Sequence, residues 1–150
     1  MQWSDVADQL RAQQFLFLAT VGPDDRPHVA MVAPVCDDDA PGGPVVWVAT
    51  NRSSRKAVNA MARPDVAAHA AVDPARGRSQ VFFRGTVEVV DDPAQNARLW
   101  NSGLMPYDPA MFFGTPDNPD MVLLRITPTY ASSLSMGSAP LTWTPATGAT

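Results

Sequence analysis

Cysteine, histidine and basic charge are all scarce in this chain of 150 residues, and each scarcity closes off a class of protein. One cysteine, Cys36, cannot form an internal disulfide, and no basic stretch followed by an apolar one opens the chain, so a cytoplasmic rather than a secreted protein is expected. Lys and Arg number 11 against 15 Asp and Glu, for a net charge of −4. Outside Arg52 to Lys56 there is no basic cluster, which argues against nucleic acid as a partner, because backbone phosphates need several cations on one face. No apolar run approaches the roughly 20 residues of a membrane helix. Cys36 stands beside Asp37, Asp38 and Asp39 without a spaced second Cys or His, so no metal site is expected. Neither a Gly-x-Gly-x-x-Gly turn nor a Gly-Lys-Ser/Thr loop occurs, which weighs against parallel nucleotide-binding folds. His28 and His69 each fall alone on an apparent strand and read as surface or satisfied core residues.

What is present is a run of short strands. Trp3, Val6, Leu10 and Gln14 recur at helical spacing behind Ser4, a plausible N-cap, and predict an amphipathic helix lying over a larger body. Phe15 to Val21 and Val29 to Val35 are apolar and flank Gly22-Pro23-Asp24-Asp25-Arg26-Pro27, which predicts an antiparallel hairpin. After a polar loop from Cys36 to Pro44 come a strand over Val45 to Ala49, a helix from about Ser54 to Arg63 stopped by Pro64, and strands over Val66 to Val72 and Gln80 to Val90. Asp92-Pro93 opens a further helix to about Trp100. Ser102 to Pro119 is a loop rich in Pro, Gly and aromatics, of a length that usually carries function. Met121 to Thr127 is the sixth strand, Ala131 to Met136 a short extra one, and the chain from 139 to 150 an irregular tail. The expectation is one domain over residues 1–150, with its core at about 5–138. Its class is mainly β (α+β): a six-stranded antiparallel split β-barrel with short flanking helices.

Chemistry concentrates where the third strand meets the helix after it, at Thr50-Asn51-Arg52-Ser53-Ser54-Arg55-Lys56. Hydroxyls on Thr50, Ser53 and Ser54, the charges of Arg55 and Lys56, and the free N–H groups of a helix start all suit an anion, and a phosphate monoester best. The bland alternative is a solvated first turn. Cations beside the positive end of a helix dipole are unfavourable, however, and that tilts the reading toward a bound anion. Ser54 also reads as the helix cap, and Gln80 as the start of a strand.

Thr50-Asn51-x-x-Ser54-Arg55-Lys56-Ala57, then Pro64 and an apolar strand, then Gln80-Val81 with Gly85 five residues beyond Gln80, resembles the FMN-binding core of the pyridoxamine 5'-phosphate oxidase-like split barrels. Leu99-Trp100-Asn101, and Pro116-Asp117-Asn118-Pro119-Asp120 leading into Val122 to Pro128, are similar to its general stress protein branch. The resemblance implies a flavin phosphate held by Thr50, Arg55 and Lys56, with Ser54 and Gln80 as further cofactor contacts and no assigned catalytic residue. It also implies a homodimer with flavin at the subunit interface, acting as an oxidoreductase on a small organic molecule. Two features depart from enzymes acting on pyridoxamine phosphate: Val29 to Val35 carries no charge, and no Arg or Lys follows Arg125. Oxidation of that vitamer is therefore not expected. A deazaflavin-dependent reductase on the same barrel is one alternative, and a flavin-binding stress-response protein without turnover is another. A flavin carries the redox chemistry itself, which fits the lack of a catalytic triad. Backbone N–H groups of Val29 to Ala33, with Met31 and Pro34 for apolar contact, are expected to meet the ring, and Tyr107, Phe112 and Phe113 to cover it or its substrate.

Overall fold

A computed structural model describes residues 1–70 and 72–146. Helix α1 (Trp3–Gln13) is followed by strands β1 (Leu16–Val21), β2 (Pro27–Val32), β3 (Val35–Asp37) and β4 (Val45–Asn51). Helix α2 (Arg55–Ala62), strand β5 (Asp65–Ala70), strand β6 (Gln80–Val90), helix α3 (Pro93–Trp100), the single turn α4 (Ala110–Phe113), strand β7 (Met121–Leu134) and strand β8 (Leu141–Trp143) complete the order. All pairings are antiparallel, in the order β2-β1-β5-β6-β7-β4-β3 with β8 also on β7. Among the described residues the sheet is a split barrel of eight strands, not six.

The extra strands come from three places. β3 occupies the start of the expected polar loop, and β8 lies in the expected irregular tail. The separate sixth strand and short extra strand are one element, β7, which runs through Pro128. Pro128 sits at a bulge against β6, where the register slips between Arg84 and Gly85. On its other edge β7 pairs with β4 only to Ile126 and with β8 only from Ala131, so a missing N–H between them breaks no ladder there. Gly85 permits this bulge. A Cβ on it would lie 2.3 Å from the carbonyl oxygen of Thr127.

α1 begins at Trp3 rather than after Ser4, because the Asp5 carboxylate accepts the N–H of Gln2 at 2.8 Å and satisfies the helix start two residues earlier. Its Trp3, Val6, Ala7 and Leu10 are buried and plug the barrel against Leu16, Phe83 and Trp143. Full burial of a side chain such as Phe83 is worth about 1.5–3 kcal/mol. A second apolar cluster, Val35, Val45, Trp47, Leu99, Met121 and Leu123, lies on the other side of β4 and β7, and Met105, Tyr107 and Phe113 of the long loop pack on it. β5 ends at Ala70; the part of its expected span at Ala71, and 147–150 of the expected tail, lie outside the described residues.

Strands β1, β2 and β5 show strict alternation, with Leu16, Leu18, Thr20, Val32, Val66 and Ala68 facing inward. Their other face is apolar too. Phe17, Val29 and Met31 are 46%, 61% and 62% exposed. No helix among the described residues is long and apolar enough to cross a membrane.

Candidate functional site

The turn from β4 into α2 is held by backbone bonds. Ser54 N–H donates to the carbonyl of Asn51 at 3.0 Å, and Arg52 N–H donates to that of Asp120 at 2.7 Å. Ser54 is the N-cap, its hydroxyl accepting from Ala57 N–H at 3.3 Å and from the Thr50 hydroxyl at 3.0 Å. Thr50, 6% exposed, therefore has its hydroxyl fixed against the helix start. Ser53 is exposed.

Thr50, Asn51 and Lys56 line a cavity of about 360 Å³ whose remaining walls include Phe15, Met31, Val32, Ala33 and Ala49. Tyr107, Phe112 and Phe113 of the long loop close one side of it. Tyr107 and Phe112 meet edge to face at 5.6 Å, and Asn118 donates to the Phe113 carbonyl at 2.9 Å, which fastens the loop in that position. The volume falls within the range of small-molecule sites, and the wall is the usual apolar surface with a few polar groups. Burial in this wall pushes the Lys56 ammonium below its ordinary pKa and the Tyr107 phenol above its own. Neither Arg55 nor Lys56 forms an ion pair or hydrogen bond among the described residues. Two uncompensated cations thus occupy the first turn of α2, where the helix dipole disfavours them.

The structure gathers some predicted residues and separates others. Thr50 and Lys56 line the large cavity with Met31, Val32 and Ala33 of the expected strand edge, while Ser54 is not in its wall and meets it only through the Thr50 hydroxyl. Pro34 does not join them; it lines a cavity of about 330 Å³ on the α1 side, with Arg11, Cys36 and Met105. Arg55 lines a third cavity, of about 240 Å³, with Asp24, Arg26, Pro27, His28 and Asn59. Gln80 lies at the start of β6 with its side-chain oxygen 2.7 Å from His69 Nε2, and it lines none of these cavities. His28 reads in the sequence as a surface or satisfied core residue and Asn59 carries no signal there, since nothing in the sequence announces that strand β2 and helix α2 bring them to one wall. Cys36, on β3, is buried, and burial pushes its thiol up to about 11. Among the described residues, no three His, Cys, Asp or Glu gather as a metal would require.

Solved structures resemble this one along most of their length. A protein from Clostridium acetobutylicum related to general stress protein 26 of B. subtilis is 17% identical with a TM-score of 0.74, over 95% of this chain and 93% of that one. A pyridoxamine 5'-phosphate oxidase-related, FMN-binding protein from Nostoc punctiforme is 20% identical with a TM-score of 0.65, over 95% and 89%. An F420 reductase is 28% identical with a TM-score of 0.60, over 83% and 94%. A comparison with curated proteins found no match. A family model described as pyridoxamine 5'-phosphate oxidase matches residues 3–135, and the chain belongs to that family.

Proposed function

We propose that the protein binds FMN and uses it to reduce or oxidise a small organic molecule. The observation that carries this reading is the pair of free cations, Arg55 and Lys56, at the start of α2 beside an apolar cavity roofed by aromatics. A flavin matches that combination: a flat apolar ring for the cavity and a phosphate for the helix start. When bound it supplies hydride or electron transfer, and the protein's part is to bind, orient and shield it. Thr50 and Ser54 fix the helix start, Met31 and Ala33 offer strand edge to the ring, and Tyr107, Phe112 and Phe113 limit water at its face.

The exposed outer face of β1 and β2 supports a homodimer. Phe15 and Met31 belong both to that face and to the cavity wall, so the cavity opens toward it. A second copy seated there would bury Phe17, Val29 and Met31 and complete the site, as an apolar patch of this kind invites. A cofactor role for Gln80, which lies away from its own chain's cavity, then requires it to act on the cofactor of the second copy. The single cysteine, kept as a thiol, fits work in the cytoplasm.

The likeness to an F420 reductase, at 28% identity, favours a second reading, in which a deazaflavin fills the same groove. Titration with FMN, riboflavin and the deazaflavin coenzyme, followed by fluorescence, separates the two. Tight FMN binding with weak riboflavin binding is expected. Tight binding of the deazaflavin alone would replace FMN with it, and no binding of any would overturn both readings. A protein that only binds would show stoichiometric reduction, without turnover, when NAD(P)H is supplied with quinones or nitro compounds.

A further inference from the structure

Register places His69 on the face that a second copy would cover. Phe17 stands opposite Met31 on β2 and opposite His69 on β5, and His69 stands opposite Phe82 on β6, so Met31, Phe17, His69 and Phe82 form one row across the sheet. The next row runs Val29, Ala19, Ala67 and Arg84. The strand neighbours of the first row, Leu18, Ala68, Ala70 and Phe83, are buried and hold it to the outside. Within that row the imidazole is the one polar group, and it is half-buried.

His69 Nε2 lies 2.7 Å from Oε1 of Gln80, which shares the outer face of β6 with Phe82. An amide oxygen only accepts, so Nε2 carries the hydrogen and donates it. Nδ1 is then a bare acceptor in the neutral ring and a charged N–H once the ring is protonated. The bond to Gln80 is the same in both states, so it fixes the ring without fixing its charge.

None of the ion pairs among the described residues includes His69. Around the ring on this face, β1 presents Phe17 and Ala19, β5 presents Ala67, and β6 presents Gln80, Phe82 and Arg84. Arg84 is itself a cation, its guanidinium 4.9 Å from the centre of the Tyr130 ring. The acids of the same stretch of chain, Asp65 and Asp73, stand four residues away on either side, and Asp73 accepts the N–H of Ala75 at 3.0 Å. In the single chain, water solvates a charged imidazole here. A second copy seated on Phe17 and Met31 would remove that water and leave the charge between phenyl rings, with a cation as its charged neighbour, an arrangement that disfavours protonation.

We infer that His69 makes this face a proton-sensitive interface: a second copy of the chain binds it while the ring is neutral and is released when the ring takes up a proton. The inference rests on the homodimer reading for its occupant and adds the condition under which that dimer holds. Two-fold symmetry doubles the effect, because one His69 from each copy is covered. Dissociation therefore takes up protons on both copies, and the dissociation constant should rise by up to about a hundredfold per pH unit below the ordinary imidazole range of about 6.5.

Sedimentation equilibrium from about pH 8 to about pH 5.5, a window in which ordinary carboxylates stay ionised, tests this. Circular dichroism of the same samples reports whether the chain stays folded. A dimer at the upper end that separates into folded monomers toward the lower end is expected. His69→Gln keeps an amide donor for Gln80 and has no ring to titrate, so it should stay dimeric across the window, with His28, the other histidine, unchanged. A parent dimeric from end to end, or a His69→Gln variant that dissociates as the parent does, overturns the inference and leaves the homodimer standing. A parent monomeric throughout overturns both. Should His69→Gln fail to fold, the parent alone decides: its His69 ring signal, followed by NMR, should titrate at lower pH in concentrated than in dilute protein. A midpoint independent of concentration overturns the inference.

Discussion

The β6–β7 ladder and the corner where β1, β2 and α2 meet are built to opposite rules. Along the ladder, residues pair from Gln80–Leu134 to Val90–Leu123, and Phe83 and Ala131 between them are fully buried. The tightest point is Gly85, pressed on the Thr127 carbonyl. At the corner, by contrast, a buried amide oxygen and an imidazole nitrogen lack partners, and the Arg55 guanidinium lacks a counter-charge, among the described residues. A region that satisfies itself has nothing left for a ligand, while unpaired groups raise the free energy of the empty state and so favour whatever pairs them.

Gly85→Ala is the strongest challenge to this division. The new methyl group would meet backbone on the partner strand, which cannot turn aside as a side chain can, so the two longest strands must part. A loss of about 3 kcal/mol in urea unfolding is expected, at the upper end of ordinary overpacking. Phosphate and FMN affinity of the protein that remains folded should be unchanged. A loss below about 1 kcal/mol, or an equal loss of affinity, would show that ladder and corner are not separate.

The sequence made the ladder far easier to read than the corner. Two apolar runs flanking the turn residues Gly22 to Pro27 placed the β1–β2 hairpin, Ser54 and Pro64 bounded α2, and Asp92-Pro93 opened α3, because each of these signals is local. β3 and β8 escaped, being three residues each and too short for a period to show. Pro128 hid the continuity of β7, since its tolerance depends on the gap between β4 and β8, a fact of pairing and not of composition. The site divides in the same way. Thr50, Ser54 and Lys56 were legible as one run, and the aromatics of the long loop as its cover. His28 read as an ordinary strand histidine; only the register with Thr20, and the depth of Asn59 under α2, bring it to one wall with Arg55.

Lys56 sharpens the contrast within the site itself. Burial in the apolar wall lowers its pKa in the folded protein. The unfolded chain therefore binds more protons over the alkaline range between that lowered value and the ordinary 10.5, and stability rises with pH across this window. Lys56→Met removes the buried charge. The variant should resist urea slightly better than the parent at neutral pH and should lose the alkaline rise. A parent curve that falls steadily from neutral pH to 10.5 would contradict the burial of this ammonium.

The smallest effect separates two arginines only three positions apart. Arg52 is committed within the protein: it pairs with Asp91, donates through Nη2 to Asp91 at 2.8 Å and to the Pro119 carbonyl at 2.7 Å, and so ties the β4–α2 turn to the end of the long loop. Asp91 is held below the usual carboxylate range by its hydrogen bond to Arg52. The pair is exposed, and exposed pairs add little to stability. Arg52→Ala should shift the urea midpoint slightly and leave phosphate affinity intact. Arg55→Ala should do the reverse, leaving the midpoint in place and weakening phosphate and FMN alike, because the charge it removes has no partner among the described residues. Measuring both variants by unfolding and by titration decides the matter: if they behave alike, the difference between a committed and a waiting cation is not what organises this corner of the barrel.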